Sequence, residues 1–184
     1  PLERSEARLS AEQTEFLRSS ARKTWAFFET HVGADDHWLP PDNVQEHPAT
    51  LVAHRTSPTN MGMALLANLA AHDFGYLATG GLLDRSGAAL RTMASLERHR
   101  GHFFNWYDTQ SLEPLAPRYI SSVDSGNLAA HLSTLQPGLL ELIDAPILNP
   151  RWLDGISDTW KVLTEALIKP TATPAMAFLP GSRP

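Results

Sequence analysis

The sequence predicts an all-α fold: a helical hairpin array forming part of an (α/α) toroid, with one short extended arm rich in aromatic rings. Three observations predict it. Capped segments of helical length recur along the 184 residues. Their apolar residues repeat at the three- and four-residue steps of a helix face. Segments rich in small residues alternate with more amphipathic ones, as inner and outer helices of a layered structure would.

The first helix is expected over Ala11 to Val32. Ser10 and Gln13 form a capping box, and Leu17, Ala21, Trp25, Phe28 and Val32 make the apolar stripe, with Gly33 as the stop. Arg8, Arg18, Arg22 and Lys23 should face water. Residues 34–57 read as a long irregular connection, because Pro40-Pro41 and His47-Pro48 forbid regular helix; Trp38, Leu39 and Val44 anchor it. Ser57-Pro58 is a strong helix start, leading through Met61, Leu65 and Leu69 to Asp73. Gly62 and several alanines make that helix small on many sides, hence buried. After Gly75 and Gly80-Gly81, a third helix is expected over Leu82 to His99, with Arg85, Arg91, Glu97 and Arg98 facing water. Residues 102–107 read as the extended arm, with Tyr119-Ile120-Ser121 as a possible return partner. Asp124 or Ser125 should cap a further helix, which Pro137-Gly138 kinks or breaks. A last helix starts at Asn149-Pro150, runs through Trp152, Ile156, Trp160, Leu163 and Leu167, and ends before Pro170. One helical domain over 1–169 and a Pro/Ala-rich tail or linker over 170–184 follow.

The chain is long enough for one domain with a real core. At 42% hydrophobic and 19% charged residues it is ordinary globular material. A net charge of −5 provides no basic field for nucleic acid. No apolar run reaches the ~20 residues of a membrane helix, so the piece itself should be soluble. Cysteine is absent, which removes disulfides and thiolate chemistry. No phosphate-binding glycine loop occurs, and His99 and His102 lack a third ligand for a metal; no metal and no cofactor is expected. The start at Pro1, inside polar sequence, reads as a piece of something longer.

Chemistry concentrates in two polar loops at helix mouths, His54 to Asn60 and Gly101 to Asn127. Aromatic faces beside amides, hydroxyls and carboxylates suit the flat, polar-edged surface of a sugar ring. The substrate-binding candidates are Arg55, Asn60, Asn105, Trp106, Tyr107, Asp108, Asp124 and Asn127. Each has a structural alternative. Arg55 could pair with Asp42, Glu46 or Asp124. Asp108 could form a turn, Asp124 could cap a helix, and the asparagines could satisfy loop backbone. Trp106 and Tyr107 could be core, and in an extended arm only one of them faces a cleft. Asp108 and Asp124 are the carboxylates open to acid–base work, where glycoside chemistry needs a pair; the catalytic residues stay unassigned.

Four runs carry a resemblance to a known family: Thr24 to Glu29, Leu39 to Asn43, Arg55 to Asn60, and Leu96 to Asp108. Together with the 101–127 stretch they resemble the central region of bacterial cyclic β-1,2-glucan synthases, over residues 15 to 135, fading after Gln136. The resemblance implies a large inner-membrane enzyme with a glucosyltransferase domain, a glucoamylase-like helical domain and a phosphorylase-like domain. It places this chain at the start of the glucoamylase-like region, on the cytoplasmic side. The implied role is to position a β-1,2-glucan chain for glycosyl transfer or cyclisation, as part of a carbohydrate-active enzyme whose catalytic acids lie elsewhere. The alternative is a structural connector between the glucosyltransferase and the downstream domains. Implied partners are the glucan and the remaining domains of the same polypeptide. Truncated apolar faces also make a homodimer an expectation.

Overall fold

The computed structural model describes residues 8–146 and 149–168. Among them are five α-helices: α1 (Ala11–His31), α2 (Pro58–Asp73), α3 (Thr79–Ser95), α4 (Ser122–Glu141) and α5 (Arg151–Ile168). The all-α hairpin array is what the sequence predicted. A single 3-10 turn at Ala34–Asp36 follows α1. The expected tail, 170–184, lies outside the described residues.

Local chemistry sets most helix starts. Ser10 accepts from the Gln13 amide, and the Gln13 side chain accepts from the Ser10 amide, completing the capping box of α1. Ser57 caps α2 through the Asn60 amide, with Pro58 in the first turn. On α4 the cap is Ser121, which accepts from the Asp124 amide. This corrects the expectation of a cap at Asp124 or Ser125: those residues already lie in the first turn.

Three two-stranded antiparallel ribbons replace the irregular connection expected over 34–57 and the single arm. They pair β1 (Val44–Gln45) with β2 (Leu51–Val52), β3 (Arg55–Thr56) with β6 (Tyr107–Asp108), and β4 (Arg98–His99) with β5 (His102–Phe103). The expected return strand at Tyr119 does not form; its carbonyl takes one backbone bond from Asn105. Helix α3 starts earlier than expected, because Gly80 and Gly81 sit inside its first turn. It also ends earlier, at Ser95, because Leu96 is extended (φ −62°, ψ 141°) and leads into β4.

The core gathers Leu39, Met61, Leu65, Met93, Leu96, Tyr107, Leu128 and Leu135. Each fully buried leucine contributes about 1.5–3 kcal/mol. Helices α2 and α4 form its spine. A side chain at Gly62 would collide with His131, and one at Gly138 would collide with Leu69. That close approach explains why Pro137 does not break α4, which runs through to Glu141. Proline removes one backbone donor from the helix, but packing on α2 holds the segment on both sides of it.

Three arginines expected to face water do not; one is Arg22, whose side chain is 15% exposed and pairs with Glu29 at 2.9 Å. Arg85 is half-buried between the rings of Trp25 and Trp38, 5.2 and 5.3 Å from their centroids. It donates to the Phe28 and Val32 carbonyls (2.9 and 3.0 Å) at the end of α1 and to the Asn68 side chain. It thus caps the carbonyl end of α1 from a neighbouring helix. Arg18 pairs with buried Asp158 of α5 at 2.8 Å.

Candidate functional site

The β3–β6 ribbon joins the two polar loops, which lie about fifty residues apart in the chain. Arg55 stands opposite Asp108, and Thr56 opposite Tyr107. The ribbon ends where α2 begins, so the amino ends of α2 and α4 reach the same patch.

Two linked clusters form there. In the first, the Arg55 guanidinium donates twice to Asp42 Oδ2 (2.8 and 3.2 Å), and the Asn60 amide donates to Asp42 Oδ1 at 3.4 Å. Arg55 also lies over the Trp106 ring, 4.9 Å from its centroid. In the second, Thr59 Oγ1 donates to Asp124 Oδ1 at 2.7 Å and accepts from Asn127 Nδ2 at 3.1 Å. Asn105 bridges the two clusters. With its amide turned so that both ends are satisfied, it donates to Asp124 Oδ2 at 2.9 Å. Its oxygen accepts from the Tyr119 hydroxyl and from Trp106 Nε1, each at 2.7 Å. Asn105 is buried, so this satisfaction is required.

Six of the eight predicted residues therefore join these clusters, and Asp108 stands opposite Arg55 in the ribbon with its carboxylate bound to its own turn. Tyr107 is the exception and a correction. It is fully buried; its hydroxyl donates to the Glu97 carbonyl (2.7 Å) and accepts from the Phe104 amide (2.8 Å). Alternation along the strand turns Trp106 outward and Tyr107 into the core. Arg55 is paired with Asp42, the first of its predicted structural partners. Asp108 takes the turn role: its Oδ1 accepts from the Gln110 and Ser111 amides and the Ser111 hydroxyl.

Sequence reasoning left Asp42, Thr59 and Tyr119 out of the site. Asp42 sits in the Pro40-Pro41-Asp42-Asn43 run, and Thr59 in the first turn of α2; their position at helix and loop mouths was the available signal. A second polar knot backs the patch. Buried Asp36 accepts from the Thr109 hydroxyl at 2.5 Å and faces His54 Nδ1 at 2.8 Å, tying the 3-10 turn to the ribbon.

Electrostatics sort the two acids. The Ser111 amide holds the Asp108 carboxyl below its usual range; burial opposes this, while the Gln110 amide, the Ser111 hydroxyl and His54 add to it. For Asp124 burial pushes upward, but hydrogen bonds from Ser121, Thr59 and Ser57 outweigh it and leave the group lowered. Both acids are ionised at neutral pH, so neither holds the proton that a general acid must donate. Among the described residues no group of three or more His, Asp or Glu is placed to hold a metal ion.

The patch is open. The depression beside it, bounded by Phe27, Phe28, Pro40, Pro41, Asp42, Asn60 and Met63, is about 90 Å³. Pockets that enclose a ligand are several times larger, about 300 Å³ or more.

The chain is 45% identical over 160 residues, 86% of its length, to the cyclic β-(1,2)-glucan synthase NdvB of Rhizobium meliloti strain 1021. It is related to one segment of that synthase. The chain spans 6% of the synthase's length. A match of 160 residues extends past Gln136, beyond the stretch that the sequence motifs covered. Among solved structures, a glucoamylase-like protein from Bacteroides fragilis NCTC 9343 superposes with a TM-score of 0.52 at 15% identity. The superposition covers 77% of this chain and 37% of that one. It assigns the helical array to the (α/α) toroid class. No protein-family model matches the chain. Among the described residues no helix is long and apolar enough to cross a membrane.

Proposed function

We propose that the chain is a glucan-positioning part of a cyclic β-1,2-glucan synthase, contributing the patch at the α2 and α4 amino ends to a glycan-binding surface. One observation carries this reading. Asp42, Asn60, Asn105, Asp124 and Asn127 from four separate segments converge beside a half-exposed tryptophan. Amides and carboxylates bind sugar hydroxyls, and the outer rim of Trp106 offers an apolar edge. Arg55 occupies one face of that ring, so a sugar approaches the other face or displaces the guanidinium. The chain alone is catalytically silent in this reading: both acids are held ionised, and the patch encloses nothing. Glycosyl transfer or cyclisation draws its acids from other parts of the polypeptide, in the inner-membrane setting of such synthases.

The connector reading keeps one observation of its own. Trp160 of α5 is 65% exposed within an apolar face, as a docking element would be. Titration of the chain with linear β-1,2-glucooligosaccharides, followed by tryptophan fluorescence, separates the two. Saturable binding lost in Trp106→Ala is expected. A folded chain that binds no glucan sinks the positioning role and leaves the connector.

A further inference from the structure

Helix α5 is mounted with its charged face inward and its apolar face outward. Asp158 is 5% exposed and accepts from Arg18 and from the Tyr76 hydroxyl (3.0 Å). Lys161 pairs with Glu15, and Glu165 with Lys23, each at 2.8 Å. Gly155 sits so close to the Gly75 carbonyl that no side chain fits between them. These contacts fix the rotation of α5 about its own axis. They leave Leu153, Ile156, Trp160, Leu163 and Leu167 on the opposite side, 50–75% exposed. The five follow alternating steps of three and four residues, the spacing of a helix-pairing seam.

We propose that this seam is self-complementary and that the chain pairs with a second copy through α5, antiparallel, about a two-fold axis at Trp160. Two features select a copy of this chain as the occupant. The seam is nearly symmetrical about Trp160: a two-fold axis there sets Leu153 against Leu167, brings Ile156 within one residue of Leu163, and sets Trp160 against its counterpart, as an isologous interface requires. The positions flanking the seam are Ser157, Thr159, Thr164 and Ala166. None is charged, so a copy meets no like-charge repulsion where coiled-coil pairs usually encode partner choice. Beside the seam lies a depression of about 270 Å³ bounded by Tyr76, Ile156, Thr159, Trp160 and Leu163, a socket for an apolar knob of the copy. The proposal rests on the mounting of α5 and is independent of the glycan reading.

Sedimentation equilibrium of the whole chain over a wide concentration range tests it. A monomer–dimer equilibrium is expected, with Trp160→Glu weakening it at least about tenfold while the far-ultraviolet circular dichroism stays unchanged. The absence of cysteine gives a clean test of register. Trp160→Cys should cross-link to its copy under mild oxidation. Leu153→Cys should not, because it lies about 20 Å from its own counterpart in an antiparallel pair. A chain that stays monomeric throughout overturns the proposal, as does a dimer unaffected by Trp160→Glu. Efficient cross-linking through Leu153→Cys overturns the antiparallel axis.

Discussion

The α2–α4 pair and the α1–α5 pair solve the same problem, holding two helices together, by opposite means. Helices α2 and α4 meet through close approaches at Gly62, against His131, and at Gly138, against Leu69, within an apolar core, and the polar groups at their amino ends form the candidate site. Helices α1 and α5 meet through ion pairs, and α5 leaves its apolar residues outside. Apolar close packing is insensitive to salt and intolerant of added volume. Exposed ion pairs are weak individually and screened by salt. The molecule should therefore have a rigid centre carrying the site and a flank that detaches more readily.

The sharpest way to break this contrast is to add volume at its centre. Gly62→Leu forces a side chain into His131 and should cost about 3 kcal/mol, lowering the melting temperature of the whole chain in one cooperative step. A variant that melts like the parent would show that the α2–α4 contact is looser than the structure describes.

Removal of Asp158 comes next. Asp158→Ala leaves Arg18 and the Tyr76 hydroxyl without their shared acceptor. A fully buried pair would lose about 3–5 kcal/mol; Arg18 is 29% exposed, so about 2 kcal/mol is expected. Hydrogen exchange should speed up across α5 and leave α2 and α4 protected. Uniform loss of protection would mean that the flank and the centre form one cooperative unit.

The smallest effect concerns acid. Asp108 and Asp124 lie below their ordinary value of 3.8 in the folded chain. The folded state binds those protons more weakly than the unfolded state does. Their contribution is thus present above about pH 4 and is lost as pH falls through the lowered values. Denaturant unfolding at pH 7 and pH 3 should show this loss, and Asp124→Asn should flatten part of the slope. An unchanged slope would mean that the Thr59–Asp124 contact contributes nothing in solution.

The grouping of the candidate residues was more legible in the sequence than the packing around them. Asn60, Asn105, Asp108, Asp124 and Asn127 stood out as polar residues at the ends of apolar segments, and the ribbon brings those ends together. Tyr107 was misread because alternation says that neighbours face opposite ways, not which of them faces the core. Arg85 was misread because helical periodicity places it beside polar residues, while the two tryptophans that enclose it come from α1 and the following loop.

By itself the sequence determined where α1 and α2 begin, because a cap is a hydrogen bond to a residue three positions away and needs no other part of the molecule. It also carried the likeness to the glucan synthase, through runs of residues that survive as text. Only the tertiary structure decided that α4 runs through Pro137, that α5 turns its charges inward, and that Asp42 joins Arg55 to Asn60. Each of these depends on partners distant in the chain, whose positions follow from packing, and no local pattern records them.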